Sequence, residues 1–313
     1  MYSTIPMYPT LLAGGTPVTS EQVHKSTAAE KLLTEWHRHE GDGYVIHAQW
    51  PQDHRFYAPR HDLLDPLLLA ESVRQCVPLL SHAAYDVPFG HRQSWSHFSY
   101  ALDPLALALD ATLTADVELQ VACRDVVRRS ERLSSLNMQV FVVRNGLRVG
   151  TAQSRFVNHA PAVYKRLRGP YADLDAAIAR TLPLPPPAAP TRLARESFAD
   201  VVLSPTSSPR RHQLRVDLNH RVLFDHPVDH APGMLLLEAA RQSAHAAVHP
   251  APVCAVAMNV AFARYTELDA PCWIHTDLLP TTGADHHRVL VTAVQHNVCV
   301  FSGIITLRQL PLS

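Results

Sequence analysis

The sequence has no excess of either charge: 28 Lys and Arg offset 28 Asp and Glu across 313 residues. It therefore lacks the basic bias with which a protein neutralises nucleic-acid phosphates. No apolar run approaches the roughly 20 residues that cross a bilayer as a helix. The opening MYSTIPMYPTLLAGG has no basic n-region and is broken by Pro6 and Pro9, which argues against a secretory signal. Five cysteines (Cys76, Cys123, Cys254, Cys272 and Cys299) form an odd set without a CxxC pair, so neither a disulfide framework nor a thiolate zinc site is indicated. They read as small buried hydrophobes. These absences predict a cytoplasmic protein with no nucleic-acid or membrane partner and no metal or cofactor.

What is present is apolar material for a sizeable core, 47% of the chain against 18% charged. The length suits two domains or one large one. The segment TLPLPPPAAPT (181–191) holds five prolines and reads as a semi-rigid linker. It predicts an N-terminal unit over 1–180, a linker over 181–192 and a C-terminal unit over 193–313. Across it the chain repeats itself. PLLLAESVRQ (66–75) answers GMLLLEAARQ (233–242), with Glu71, Arg74 and Gln75 matching Glu238, Arg241 and Gln242 at a constant offset of 167. His54-Arg55 answers His220-Arg221 at 166.

Each repeat has the same surroundings. Alternating stretches at Tyr44–Trp50 and Gln213–Leu218 precede the leucine runs and predict strands with one buried face. Further strands are predicted at Trp95–Leu102, Leu113–Cys123 and Asn137–Phe156, the last folded back at Asn145-Gly146. Their second-half counterparts are Cys254–Tyr265, Cys272–Leu279 and Val289–Leu307, with a turn at His296-Asn297. Asp65-Pro66 supplies a cap and a first-turn proline to the first helix, and Pro78 should kink or end it. Asp229 and Pro232-Gly233 precede the second. Each half therefore reads as a long apolar helix that needs a curved antiparallel sheet to bury it, an α+β arrangement occurring twice.

HPVDHAPGMLLLEAARQ and HRFYAPRHDLLDPLLLAESVRQ resemble the two signature stretches of the A-factor biosynthesis (AfsA-type) family, and the resemblance runs from VHKSTAAEKLLTEW (23–36) to PCWIHTDLLP (271–280). It implies a tandem hotdog fold. It also implies transfer of a β-ketoacyl group, from a thioester on acyl carrier protein or coenzyme A, to dihydroxyacetone phosphate. The ester would then close to a butenolide phosphate in γ-butyrolactone-type signal biosynthesis. Alternatives are a furan-type signal synthase using the same ester, a hotdog thioesterase, or a non-catalytic butyrolactone-binding regulator. The chain also resembles, more distantly, the hotdog dehydratases. At the place of their catalytic histidine, fourteen residues before each glutamate, it has Tyr57 and Phe224, which counts against dehydration.

No Ser-His-Asp or Cys-His arrangement is legible, so direct attack by the acceptor hydroxyl is expected. Glu71 or Glu238, carried into an apolar cleft, should have its pKa raised by desolvation towards that of a base. Arg74 or Arg241 would clamp a phosphate. The amides of Gly233 and Met234 at a helix start are oxyanion donors. The second half keeps Pro232-Gly233, so Glu238 and Arg241 are taken as the chemical pair. Glu71 and Arg74 then support substrate or a second, pseudo-symmetric cleft. Gln75 and Gln242 join the substrate-binding set. His61-Asp62 and Asp229-His230 could contact acceptor oxygens or relay a proton, or serve as a cap plus a loop histidine. A basic run at Arg124, Arg128, Arg129 and Arg132, with Lys165, Arg166 and Arg168, suits an acidic carrier protein or a plain solvated edge. The oligomeric state is left open.

Overall fold

A computed structural model describes residues 14–109, 114–129, 131–280, 283 and 285–311. The opening stretch through residue 13, and Leu113 at the start of one expected strand, lie outside them. The first half consists of β1 (Thr16–Pro17), β2 (Leu33–Arg38), β3 (Gly43–Pro51), α1 (Leu67–Leu79), β4 (Arg92–Leu102), β5 (Thr114–Arg129), β6 (Arg132–Arg144) and β7 (Leu147–His159). Two short helices follow, α2 (Pro161–Arg168) and α3 (Leu174–Ala179). The second half has β8 (Leu203–Pro205), β9 (Arg211–Leu214), α4 (Gly233–Val248), β10 (Val253–Phe262), β11 (Trp273–Leu279), β12 (His286–Gln295) and β13 (Val298–Gln309).

All these strands form one antiparallel sheet in the order β1-β2-β3-β5-β6-β7-β4-β10-β13-β12-β11-β9-β8. The second half repeats the first in reverse about the β4–β10 seam, so the halves are related by a pseudo-twofold. Asn259 faces Ser99 at the middle of that seam, and Tyr100 Oη donates to Ala255 O at 2.8 Å. Each half is a hotdog, with its helix wrapped by its part of the sheet. In α1 every residue but Arg74 is buried, and in α4 everything from Met234 to Ala244 is buried. A helix buried nearly all round needs no polar face, so the charged residues in these two helices, Arg74 apart, must find their partners within the protein.

The turns follow their local chemistry. Asn145 and Gly146 both take positive φ, as do His296 and Asn297, giving the two-residue hairpin turns that suit twisted strands. The α-helical pattern of α1 stops one residue after Pro78, and Leu80–Ala84 continues as a wider π turn. The expected strand over 213–218 is shorter and shifted, ending at Leu214. Beyond it the buried Arg215 turns aside, its guanidinium donating to Val201 O and, at 2.8 Å, to Pro185 O. The proline segment is thereby pinned, with Leu182 N bonded to Leu268 O and Ala188 N to Leu203 O. Four cysteines are buried as expected, whereas Cys299 is exposed.

Candidate active site

The two repeated Glu-x-x-Arg-Gln sets build two equivalent networks. Glu71 accepts from Arg74 Nε (2.9 Å) and Nη2 (2.8 Å) and from Gln75 Nε2 (2.8 Å), and Lys25 Nζ lies 3.0 Å from it. Glu238 accepts in the same way from Arg241 Nε (2.9 Å), Gln242 Nε2 (2.5 Å) and Arg195 Nε (2.8 Å). Lys25 and Arg195 were missed from the sequence. They sit at matching places in VHKSTAAEKLL (23–33) and LARESFADVVL (193–203), a second repeat at an offset of 170. Each follows a residue with left-handed backbone, His24 (φ 53°) and Ala194 (φ 54°).

These partners bear on several expectations. Burial pushes the Glu71 carboxyl up, but the Arg74 and Lys25 charges prevail and hold it well below the usual carboxylate range. That direction is opposite to the rise expected of a base. The glutamines, expected among the substrate-binding residues, are engaged by backbone: each spans a segment, Gln75 from Glu30 O to Leu32 N and Gln242 from Asp200 O to Val202 N. Arg241, expected to clamp a phosphate, is paired to carboxylates. Its Nη1 lies 3.2 Å from Asp65 Oδ2, so two carboxylates hold it in the interior.

Open space lies on one side of the pseudo-twofold. A cavity of about 840 Å³ is lined by Glu71, Arg74, Asp229, His230, Gly233 and Met234 among others, and not by Glu238, Arg241, Gln75 or Gln242. At the equivalent place by Arg241 only about 30 Å³ remains. The expected pair Glu238–Arg241 therefore lies away from the large cavity, and the pair facing it is Glu71–Arg74. His61 and Asp62 lie on the closed side. They are exposed, both with positive φ, in a tight turn whose flanking residues Arg60 and Leu63 exchange backbone hydrogen bonds. The asymmetry has a local cause. Asp65, before Pro66, pairs with Arg241, whereas the residue before Pro232 is Ala231, which offers no carboxylate, and Arg74 is partly exposed.

The cavity joins the charged side chains of α1 to the start of α4. Gly233 and Met234 are the first residues of that helix, where amides have no partner within the helix. A Cβ on Gly233 would meet the Trp95 ring at 3.0 Å, so glycine is what lets the indole approach. Trp95, Leu236, Phe262 and Val300 give this region its apolar lining.

Beside it His230 Nδ1 lies 2.6 Å from Asp229 Oδ1. A carboxylate only accepts, so Nδ1 carries a hydrogen, and in the neutral ring the lone pair is on Nε2. Tyr164 Oη is 2.8 Å from both Asp229 oxygens. Burial raises the Asp229 pKa, but His230, Tyr164 and Arg168 together lower it. Arg168, expected on a basic surface, is instead buried, bridging Asp229 O and the Glu267 carboxylate and stacking at 4.2 Å on the Tyr265 ring. Arg124, Arg128, Arg129, Arg132, Lys165 and Arg166 are exposed.

The sequence profile of the A-factor biosynthesis hotdog domain matches residues 13–158 and again 176–311. The chain belongs to this family. Among its relatives is the 2-oxo-3-(phosphooxy)propyl 3-oxoalkanoate synthase of Streptomyces virginiae, 40% identical over 93% of this chain and 97% of the relative. An enzyme of the same name from Streptomyces coelicolor is 38% identical over 91% and 90%. Among solved structures, an oleoyl thioesterase from Lactobacillus plantarum superposes with a TM-score of 0.52 at 12% identity, covering 86% of this chain and 97% of that one. A 12:0-ACP thioesterase from Umbellularia californica gives 0.51 at 10% identity, covering 85% and 94%. These two share the hotdog fold alone. In this A-factor family member, Tyr57 is buried and burial drives its hydroxyl pKa up, while Phe224 has no proton to move.

Proposed function

We propose that the chain is an acyltransferase that moves a β-ketoacyl group from a thioester to the primary hydroxyl of dihydroxyacetone phosphate. The product is the 2-oxo-3-(phosphooxy)propyl 3-oxoalkanoate after which its relatives are named. That ester closes to a butenolide phosphate in γ-butyrolactone-type signal biosynthesis. The observation that carries the reading is 37–40% identity to these synthases over at least nine-tenths of both chains. The chemistry of the cavity is in accord with it.

In this reading His230 Nε2 takes the proton of the acceptor hydroxyl, while Asp229 fixes the ring and stabilises the imidazolium. The oxygen attacks the thioester carbonyl, and the resulting oxyanion sits at the Gly233 and Met234 amides, favoured by the helix dipole. Collapse breaks the C–S bond, and His230 returns its proton to the leaving thiolate. Arg74 serves the acceptor phosphate with its outer nitrogen, and the Trp95–Phe262 region holds the acyl chain. The thioester is carried by acyl carrier protein or coenzyme A.

The test is incubation with a β-ketoacyl thioester and dihydroxyacetone phosphate, with mass spectrometry for the phosphorylated ester or butenolide. Free acid alone would favour a thioesterase. An untouched thioester with a bound butyrolactone would favour a regulator.

A further inference from the structure

The twin halves kept their Glu, Arg and Gln, but two imidazoles are present only beside the open cavity. His24 occupies the left-handed position that Ala194 fills in the other half. His226, six residues after His220, is matched by Arg60, six after His54. His24, His226, Arg74 and Arg92 all line the cavity. Arg92 is exposed, has no carboxylate partner among the described residues, and lies 5.9 Å from the Tyr164 ring. His226 Nδ1 is buried without a hydrogen bond, 3.8 Å from Asp225 Oδ2. Asp225 is itself occupied by the amides of Ser26 and Thr27. Among all the charged residues lining the cavity, five cations meet four carboxylates, leaving one positive charge in excess. That is an environment for an anion.

The tautomers add a constraint. His82 Nδ1 lies 2.6 Å from Val87 O, an acceptor, so it must carry hydrogen. Neutral His82 then accepts at Nε2, and His24 Nε2, 2.9 Å away, is the donor. His24 Nδ1 is left with a bare lone pair. A phosphate monoester carries a charge of about −1.5 to −2 at neutral pH, and it cannot bond to that lone pair until a proton is added.

We infer that Arg74, Arg92, His24 and His226 form the phosphate subsite of this cavity, and that a phosphate monoester binds there with uptake of a proton by His24. The inference rests on dihydroxyacetone phosphate being the acceptor. Burial, His82 and the charges of Arg74, His226 and Arg92 hold the His24 pKa down to about 3. Burial, Arg74 and Lys25 lower that of His226, against the pull of Asp225. His82 is faced in turn by His91 and Glu21. A phosphate dianion reverses the local field and favours imidazolium.

The test is isothermal titration calorimetry of the full chain with dihydroxyacetone phosphate at pH 7, in two buffers of different ionisation enthalpy. We expect uptake of about one proton, lost in His24→Asn. Arg92→Gln, a change at an exposed side chain that should leave folding intact, should weaken dihydroxyacetone phosphate about tenfold, as for one charge-assisted contact. Dihydroxyacetone phosphate that binds and accepts the acyl group, but without proton uptake or with unchanged affinity in both variants, would overturn the subsite while leaving the transferase reading intact. If it neither binds nor accepts acyl groups, both readings fail together.

Discussion

Arg74 and Arg241 hold equivalent positions on two buried helices, yet the residue before a neighbouring proline sets them apart. Arg241 is shared by Glu238 and Asp65, whereas Arg74 looks into open space. Replacing Arg241 with Met should strand two buried carboxylates and cost about 3–5 kcal/mol of stability. The kcat and KM of the folded fraction should barely change, and denaturant titration with steady-state kinetics reads both. Ala231→Asp should recreate the Asp65–Arg241 bridge at Arg74. It should raise KM for dihydroxyacetone phosphate with little loss of fold, and an unchanged KM would refute the account of the asymmetry. His230→Asn should lower kcat by about 10²–10⁴-fold, the range for a lost general base. Acid should destabilise the protein. His24, with a folded pKa near 3, stays neutral while the unfolded residue gains a proton below about 6.5, so stability falls as pH drops through that window. Glu71, also depressed, extends the loss below about pH 4.3. The unfolding midpoint of His24→Asn should therefore vary less between pH 6.5 and 4.5 than that of the unaltered chain.

The helices and hairpins were the most legible elements, because their signals are local. Leucine runs of helical length, the Asn145-Gly146 turn and Pro78 each fix backbone within a few residues. The strand over 213–218 was misread because its alternation continues past Leu214, and a tertiary contact, Arg215 reaching Pro185 and Val201, ends it. At the start of α4, Gly233 permits the Trp95 ring, which stacks on Phe98 at 5.1 Å, to lie against the helix terminus. Gly233→Ala should displace the indole by a few tenths of an ångström. It should reduce kcat more than stability, and circular dichroism with kinetics separates the two.

Across the whole molecule the halves interlock. They share the sheet at β4–β10, Arg241 binds Asp65, Arg195 donates to Phe56 O, and Asp225 caps the amides of Ser26 and Thr27. Although the proline segment marks a boundary in sequence, we expect one unfolding transition, with matching calorimetric and van't Hoff enthalpies. A protease site placed within residues 183–187 should, once cut, leave the fragments associated in gel filtration. Two separate transitions would show the interlock to be weak.

The sequence by itself determined the duplicated helix, the strands around it and the family, because each rests on local periodicity or on motif order along the chain. It also supplied the residue types of the site, including Glu71, Arg74, Asp229, His230, Gly233 and Met234. Only the tertiary structure decided which of them meet. The pseudo-twofold sets the charged residues of one helix beside the start of the other, so the cavity takes half its groups from each repeat. A repeat read along the chain pairs Glu238 with its own Gly233. In space Gly233 shares its cavity with Glu71, and Lys25 and Arg195, distant in sequence, hold the two glutamates in place.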